Sequence, residues 1–244
     1  MSQRFPDVQG GGSLIVAWQV KGKNILVVGG GEVAAGRILH SLNADAKVTV
    51  VCPKSGLNDE VAFRVAQQQI SHVDRCFEPH DLDGADMVLS AVDDPATSSR
   101  IWQFCKERQL PANIADIPSE CDFYFGSMYR DGPLQVMVST NGNGPKMASI
   151  VRKKIADTLP QNTGAAIVNV GKLRKKLRDV APDISEGPKR MKWISNICEL
   201  WTLEELVKMS DEDMDLVPTF YDANIVPSFD DIHAKSDASN FTSQ

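Results

Sequence analysis

The fold is decided by the stretch Lys23-Asn24-Ile25-Leu26-Val27-Val28-Gly29-Gly30-Gly31-Glu32-Val33-Ala34. It joins a short apolar strand to a glycine-rich turn that opens a helix. Gly29-x-Gly31-x-x-Ala34 matches the dinucleotide-binding fingerprint, with Ala in the last position. Gly29 permits a tight turn, Gly31 lets the backbone approach a pyrophosphate, and the helix N-terminus offers N–H groups to the anion. The stretch therefore predicts a bound NAD(P); the alternative is a plain strand–turn–helix, since glycine triplets are frequent.

Strand-like and helical patterns alternate through the first half of the chain. Strands are predicted at 25–28, 48–51, 72–77, 87–91 and 112–115, and helices at 33–42, 58–69 and 97–108. The strands are continuously apolar, which indicates a sheet covered on both faces and therefore parallel. Strand–helix alternation of this kind predicts a doubly wound, Rossmann-type α/β domain over 13–117. Residues 14–20 suggest one additional edge strand.

The pattern changes after residue 117. Two alternating segments flank Arg130-Asp131-Gly132-Pro133 and predict a β-hairpin, which a helix over 147–159 follows. Hairpin and helix together make up a region over 118–160, and further helical segments make up an all-helical domain over 161–221. The last stretch, 222–244, is rich in Asp, Ser and Asn and is predicted to be a disordered tail.

Cysteine and histidine usage bounds the class of protein. The five cysteines are scattered and include no CxxC pair, which is typical of reduced thiols and indicates a cytoplasmic location. No apolar run approaches the roughly 18 residues that span a bilayer, so no membrane association is expected. The four histidines have irregular spacings, so no permanent metal site is expected.

Charge is unevenly distributed along this acidic chain, whose net charge is −6. Residues 146–192 carry twelve Lys or Arg and four acids, whereas residues 199–244 carry eleven acids and two lysines. The basic segment suggests an anionic partner. The alternative is a pair of solvated helix faces that attract each other. Nucleic acid is not expected as the partner, because the whole protein is acidic and contains no DNA-reading motif.

Three motifs follow the fingerprint in a fixed order. They are Asn113-Ile114-Ala115-Asp116, Cys121-Asp122-Phe123-Tyr124-Phe125-Gly126 and Val138-Ser139-Thr140-Asn141-Gly142. Over residues 13–201 the chain closely resembles the stand-alone bifunctional siroheme synthases, which are precorrin-2 dehydrogenases and sirohydrochlorin ferrochelatases. The resemblance implies a homodimer with its dimerisation region over 118–160. It also implies oxidation of precorrin-2 to sirohydrochlorin by NAD, and then insertion of Fe2+, as a substrate, to give siroheme.

The resemblance implies that Asp116 is catalytic in both steps. Asp116 also follows a predicted parallel strand, where open α/β sheets place their ligands. A carboxylate there could accept the proton that the macrocycle loses when hydride is removed. The alternative is that Asp116 caps the turn ahead of Pro118.

The cofactor contacts are expected in three loops. The resemblance implies contacts from Glu32-Val33 in the glycine turn and from Cys52-Pro53 at the end of the second strand. Val92-Asp93 follows the fourth strand and is expected near the nicotinamide. Asp94-Pro95 is a good helix start, so at least one of Asp93 and Asp94 is expected to cap that helix. The second strand ends without an acidic residue, so the preference for NAD over NADP rests on the resemblance.

The macrocycle would bring many carboxylates. Lys146 and Arg152 are candidates to bind them through charge-assisted hydrogen bonds, and the loop Ser139-Thr140-Asn141 precedes a helix N-terminus that could bind another. Two other functions stay open: a precorrin-2 dehydrogenase without chelatase activity, and a non-catalytic NAD-sensing regulatory module. The regulatory module would need the fingerprint but not Asp116 or the basic helices.

Overall fold

The computed structural model describes residues 5–240, with side chains described for 5–234. The chain forms two compact units, of which the first ends at Phe125 and the second begins at Gly126. All five cysteines are free thiols. None of the described helices is long and apolar enough to cross a bilayer.

The first unit is built on a five-stranded parallel sheet. Its strands are β1 (Asn24–Val28), β2 (Lys47–Val51), β3 (Ser71–Val73), β4 (Met87–Ser90) and β5 (Ala112–Ile114). The strand order is β3-β2-β1-β4-β5, so the winding reverses between β1 and β4. This order is that of a doubly wound sheet and confirms the predicted Rossmann-type fold.

Three helices cover the two faces of this sheet: α1 (Glu32–Leu42), α2 (Asp59–Ala66) and α3 (Pro95–Glu107). On one face Val27 packs with the small residues Ala34 and Ala35 of α1. On the other face Val28 packs with Ile101 of α3. Neighbouring strand residues are therefore buried in opposite cores, which explains the continuously apolar strands.

The second unit begins with the expected hairpin. Its strands are β6 (Ser127–Asp131) and β7 (Leu134–Val138), and Gly132 in the turn has φ +54°. Helices α4 (Pro145–Thr158) and α5 (Thr163–Val180) follow. The Asp131 carboxylate accepts a hydrogen bond from the Gly164 N–H at 2.8 Å. A Cβ at Gly164 would lie 2.1 Å from the Asp131 carbonyl oxygen, so this contact requires glycine.

The rest of the second unit is helical. It contains α6 (Gly187–Leu200), α7 (Leu203–Lys208), α8 (Asp211–Leu216) and α9 (Phe229–Asn240). The core of this unit is centred on fully buried Trp193 and Tyr221, whose rings meet edge to face at 5.6 Å. Leu173 and Leu177 of α5 pack against the same core.

Two local predictions differ from the structure. The expected disordered tail instead contains α9, because Ile232 is fully buried and the backbone ahead of α9 hydrogen-bonds to two indoles. Residues 241–244 of that tail lie outside the described residues. Residues 14–20 form no strand: Trp18 packs against the Phe123 ring at 5.4 Å, and Val20 is the buried member of the segment.

Candidate functional site

The glycine turn after β1 is shaped by close backbone approaches. Gly29 has φ +111°, and its N–H donates to the Val51 carbonyl at 3.1 Å. A Cβ at Gly29 would lie 2.1 Å from the Ala91 carbonyl oxygen. Both the conformation and the space therefore require glycine at this position.

Gly30, which is not one of the predicted site residues, is also constrained by close contacts. A Cβ there would lie 2.7 Å from Leu57 Cδ2 and 2.8 Å from the Gly56 carbonyl oxygen. The Gly30 carbonyl accepts a hydrogen bond from Asn58 N–H at 2.8 Å. The uninterrupted glycine triplet was the available signal, since the fingerprint leaves the middle position open.

Gly31 differs from its two neighbours because the space around it is open. No heavy atom lies within 4 Å of a Cβ built there, and the backbone has an ordinary extended conformation. Gly31 is the N-cap of α1, and no side chain caps this helix. Glu32 and Val33 in the first turn are exposed. The first N–H groups of α1 therefore face a space that fits an anionic ligand.

A cavity of about 330 Å³ lies at the carboxyl ends of β1 and β2 and beside α3. Four of the predicted cofactor-binding residues line it: Gly29, Cys52, Pro53 and Val92. Phe77, Arg100 and Phe104 also line it and were not predicted from the sequence. The predicted residues Gly31, Glu32, Val33 and Asp93 lie outside this lining, the first three at the start of α1 and Asp93 in the exposed loop after β4.

Cys52 is a neutral part of the cavity wall. Its pKa is raised by burial and by the neighbouring Cys76 and Asp74. Its backbone carbonyl lies 2.8 Å from His72 Nε2 in a hydrogen bond. Because a raised pKa keeps the thiol protonated at neutral pH, Cys52 contributes an apolar surface rather than a nucleophile.

The neighbouring acids Asp93 and Asp94 have different environments. The Asp94 carboxylate accepts a hydrogen bond from Thr97 N–H at 3.0 Å and caps α3. The hydrogen bonds from Thr97 lower the pKa of Asp94. Asp94 is therefore a capping residue, and Asp93 stays exposed beside Val92.

Asp116 is an exposed residue two positions beyond β5. Its φ is +63°, a left-handed conformation that is unusual outside glycine. Its carboxylate accepts no hydrogen bond from the residues that the structure describes. The N-cap residue of the 3₁₀ turn Pro118–Glu120 is Ile117, and no side chain caps this turn. The alternative role for Asp116, capping that turn, is therefore not observed.

The segment after Asp116 folds back along β5. Cys121 Sγ accepts a hydrogen bond from Ile114 N–H at 3.3 Å and donates to the Ile114 carbonyl at 3.1 Å. The Asp122 carboxylate accepts from Ala112 N–H at 2.9 Å and pairs with Lys106 at 2.5 Å. These contacts close the loop that presents Asp116. They also explain why the first unit extends past the predicted boundary at residue 117.

Asn113 completes the support of this loop. Its side chain is buried, and its amide donates to the Phe123 carbonyl at 2.8 Å and to Cys121 Sγ at 3.4 Å. Asn113, Cys121 and Asp122 therefore have structural roles in the motif that contains Asp116 and in the motif that follows it. Asp116 itself is the residue in these motifs whose polar group stays available.

The candidate substrate-binding residues lie in the second unit. Ser139 Oγ accepts from Asn141 N–H at 3.1 Å, and Thr140 Oγ1 accepts from Gly144 N–H at 3.2 Å. The loop before α4 is therefore held by its own hydroxyl groups. On α4 itself, Lys146 is exposed and Arg152 is half-buried.

Part of the basic segment pairs with the acidic segment. Lys172 of α5 lies 3.4 Å from Asp211, and Lys176 forms an ion pair with Asp215 of α8. These two lysines follow the alternative expectation of attracting helix faces. The same pairing was not found for Lys146 or Arg152 within the described part of the chain.

Comparison with known proteins divides the chain among three family models. Residues 16–127 match a family described as "Putative NAD(P)-binding". Residues 131–158 match the central family of sirohaem biosynthesis proteins, and residues 160–227 match the C-terminal family. A siroheme biosynthesis protein of Schizosaccharomyces pombe is 56% identical over 88% of this chain and 81% of its own length. The chain belongs to this family of siroheme biosynthesis proteins.

Other relatives agree with this family membership. A siroheme biosynthesis protein of Saccharomyces cerevisiae is 30% identical over 79% of this chain and 84% of its own length. A siroheme synthase of Thioalkalivibrio sulfidiphilus is 36% identical over 69% of this chain but only 34% of its own length. The solved structure of SirC, a precorrin-2 dehydrogenase, has a TM-score of 0.63 at 22% identity, covering 76% of this chain and 89% of that chain. This last likeness shows the shared fold.

Proposed function

We propose that this siroheme biosynthesis protein oxidises precorrin-2 to sirohydrochlorin with NAD and then inserts Fe2+ to give siroheme. The observation that carries the proposal is the Asp116 carboxylate, which is held in an unusual backbone conformation beyond β5 and accepts no hydrogen bond from described residues. The names of the relatives support the pathway, and the NAD(P)-binding family match supports the oxidation step.

The glycine turn and the adjoining cavity fit a dinucleotide. The open space at Gly31 and the uncapped start of α1 suit its pyrophosphate, with Glu32 and Val33 in the first turn. The cavity beside Cys52-Pro53 suits the adenosine half; Val92 lines the same cavity, and Asp93 follows it in the loop after β4. When bound, NAD supplies the hydride acceptor.

Asp116 would act as a proton acceptor in both steps. Removing hydride from the macrocycle makes a neighbouring C–H or N–H acidic, and the carboxylate oxygen of Asp116 takes that proton. Metal insertion displaces two pyrrole N–H protons: the Asp116 carboxylate, once it has released the first step's proton to solvent water, can receive one of them, and water takes the other. Fe2+ is a substrate in this scheme. Among the described residues no three His, Cys, Asp or Glu side chains cluster as a metal site.

The macrocycle carboxylates would be held in part by the second unit. Lys146 and Arg152 supply positive charge on α4, and Ser139 and Thr140, whose hydroxyl oxygens accept hydrogen bonds from the loop backbone, supply hydroxyl donors in the Ser139-Thr140-Asn141 loop ahead of that helix. Charge-assisted hydrogen bonds are the strongest means of binding such carboxylates.

The homodimer is proposed from the surface of α4. Met147, Ile150 and Val151 are 39–56% exposed, and their i, i+3, i+4 spacing places them on one face of the helix. An exposed apolar face of this kind is typical of an interface between protomers.

The test is a two-stage absorbance assay on the purified full chain. Precorrin-2 and NAD+ are added first, and Fe2+ or Co2+ is added once oxidation is complete. We expect sirohydrochlorin formation and then metal insertion faster than in protein-free buffer. Oxidation without faster insertion would leave a dehydrogenase alone, and nucleotide binding without oxidation would leave a regulatory module.

Asp116→Asn is the decisive variant, and Asp45→Asn is its matched control. Asp45 is also an exposed aspartate at positive φ, +59°, but it lies in the loop before β2, at the amino end of the sheet. We expect Asp116→Asn to lose both steps while its NAD+ affinity stays within about twofold of wild type, whereas Asp45→Asn keeps both activities. Full activity of Asp116→Asn would remove this residue from the mechanism.

A further inference from the structure

Arg37 presents its guanidinium on an aromatic surface near Asp116. It lies on α1, and its guanidinium carbon is 3.8 Å from the centroid of the Phe125 ring. The Phe125 ring is itself 5.8 Å from Phe123 and 5.8 Å from His40. Stacking of this kind fixes the planar guanidinium and leaves its edge donors available.

The guanidinium is half-buried and its donors are unused. It donates no hydrogen bond and forms no ion pair with any residue that the structure describes. By contrast, Arg64 pairs with Glu60 at 2.5 Å and Arg75 pairs with Asp81 at 2.6 Å. Burial lowers the pKa of Arg37, although an arginine stays charged at neutral pH. A half-buried guanidinium that is fixed on an aromatic ring and donates no hydrogen bond to the described residues can offer its donors to a ligand.

The titratable groups around Arg37 leave a simple pattern of charge. Burial, and then the charge of Arg37, lower the pKa of His40, so its ring is neutral at pH 7. Burial raises the pKa of Cys121, so its thiol is neutral as well. Asp116 is close enough for its negative charge to raise the pKa of Arg37. Of the groups that act on Arg37, Asp116 is therefore the one that carries a charge at neutral pH, and this charge is opposite to that of the guanidinium.

We propose that Arg37 binds a peripheral carboxylate of the tetrapyrrole substrate and so holds one edge of the macrocycle beside Asp116. This inference rests on the proposed function and adds a substrate-binding residue from the first unit. A planar fork of N–H donors matches a carboxylate in a bidentate manner, and partial burial strengthens the contact. Bound this way, the ring would present its periphery to the Asp116 carboxylate.

The nucleotide is a less suitable partner for this guanidinium. Arg37 lies six residues beyond Gly31, which is about 9 Å along the axis of α1 at the usual helical rise. The pyrophosphate site is expected at the first turn of that helix. Substrate binding and NAD+ binding can therefore be separated by substitution of Arg37.

The experiment measures binding of sirohydrochlorin to the full chain by visible absorbance, and binding of NAD+ by calorimetry. Arg37→Met removes the charge but keeps a long side chain over Phe125. Arg108→Met is the matched control, because Arg108 also lies beside a phenylalanine, 5.9 Å from the Phe104 ring, at the end of α3. We expect Arg37→Met to weaken sirohydrochlorin binding about tenfold or more, with NAD+ affinity unchanged, and Arg108→Met to leave sirohydrochlorin binding unchanged.

A second variant guards against a folding defect. Arg37→Lys keeps the charge but loses the planar fork, so we expect sirohydrochlorin binding between those of wild type and Arg37→Met. Equal binding by wild type and both variants would overturn the role of Arg37 while leaving the proposed function intact. If wild-type protein itself binds no sirohydrochlorin, the proposed function and this inference both fail. Parallel loss of NAD+ affinity in Arg37→Met would reassign the residue to the nucleotide.

Discussion

Replacing Gly31 with alanine should separate folding from nucleotide binding. A Cβ at this position meets no heavy atom within 4 Å, and φ −79° suits any residue. We expect Gly31→Ala to lower the free energy of unfolding by at most about 1 kcal/mol, the usual difference between glycine and alanine at an N-cap. The new methyl group would occupy the space from which a pyrophosphate approaches the backbone. Loss of one charge-assisted hydrogen bond, about 1.5–3 kcal/mol, predicts NAD+ binding about 10–150-fold weaker.

Two other glycines provide matched controls. Gly29→Ala would place a Cβ 2.1 Å from the Ala91 carbonyl oxygen at φ +111°, so we expect it to destabilise the first unit by more than about 2 kcal/mol. Gly36→Ala lies within α1 with open space around its Cβ, so it should stabilise the helix by up to about 1 kcal/mol without changing NAD+ affinity.

The assay combines isothermal titration with NAD+ and urea unfolding followed by tryptophan fluorescence. Wild-type NAD+ affinity in Gly31→Ala would refute the pyrophosphate site at the start of α1. Unfolding of Gly31→Ala as severe as that of Gly29→Ala would refute the claim that the protein leaves this space open.

Three further variants test other parts of the molecule. Partial burial raises the pKa of Asp122, but the hydrogen bonds from Lys106 and Ala112 N–H hold it below its usual value. Asp122→Asn should therefore destabilise the protein at pH 7. In urea titrations the difference in stability from wild type should shrink as the pH falls below about 3.9. Asp116→Gly should raise the free energy of unfolding by up to about 1 kcal/mol, because φ +63° suits glycine, while it abolishes oxidation of precorrin-2; lower stability would contradict the strained conformation. Ile150→Glu should yield monomers in light scattering if the exposed face of α4 is the dimer interface, and an unchanged mass would exclude that face.

The parallel sheet could be predicted because each of its signals is local. Continuous apolar residues in β1 and β2 require two covered faces, and the glycine turn fixes where α1 begins. The family motifs, which occur in a fixed order, led to the prediction of Asp116 as a catalytic residue. The hydrogen bonds in the structure then show what a motif alone does not: Asn113 and Cys121 hold the loop in place, and this loop presents Asp116.

The end of the chain could not be predicted because its order depends on distant partners. Its composition is polar, yet the indole N–H groups of Trp193 and Trp201 donate to the carbonyls of Ile225 and Pro227, both at 2.9 Å. Each bond joins positions more than twenty residues apart, and composition carries no record of such contacts. Arg37 could not be predicted for a similar reason. In the sequence it resembles any solvated arginine of a helix, and only the structure shows its guanidinium stacked on the Phe125 ring.

One argument for a reaction centre is the contrast between Asp116 and three structural aspartates of the fold. Asp94 caps α3, Asp122 anchors the returning segment to β5, and Asp131 fixes the start of α5. Each of these carboxylates has a hydrogen-bonded task within the chain. Asp116 has none among the described residues, although its backbone is held in a costly conformation, and the guanidinium of its charged neighbour Arg37 donates no hydrogen bond to them. Opposite charges that lie near each other, each positioned by surrounding structure and neither used by it, are best explained by a ligand that engages both.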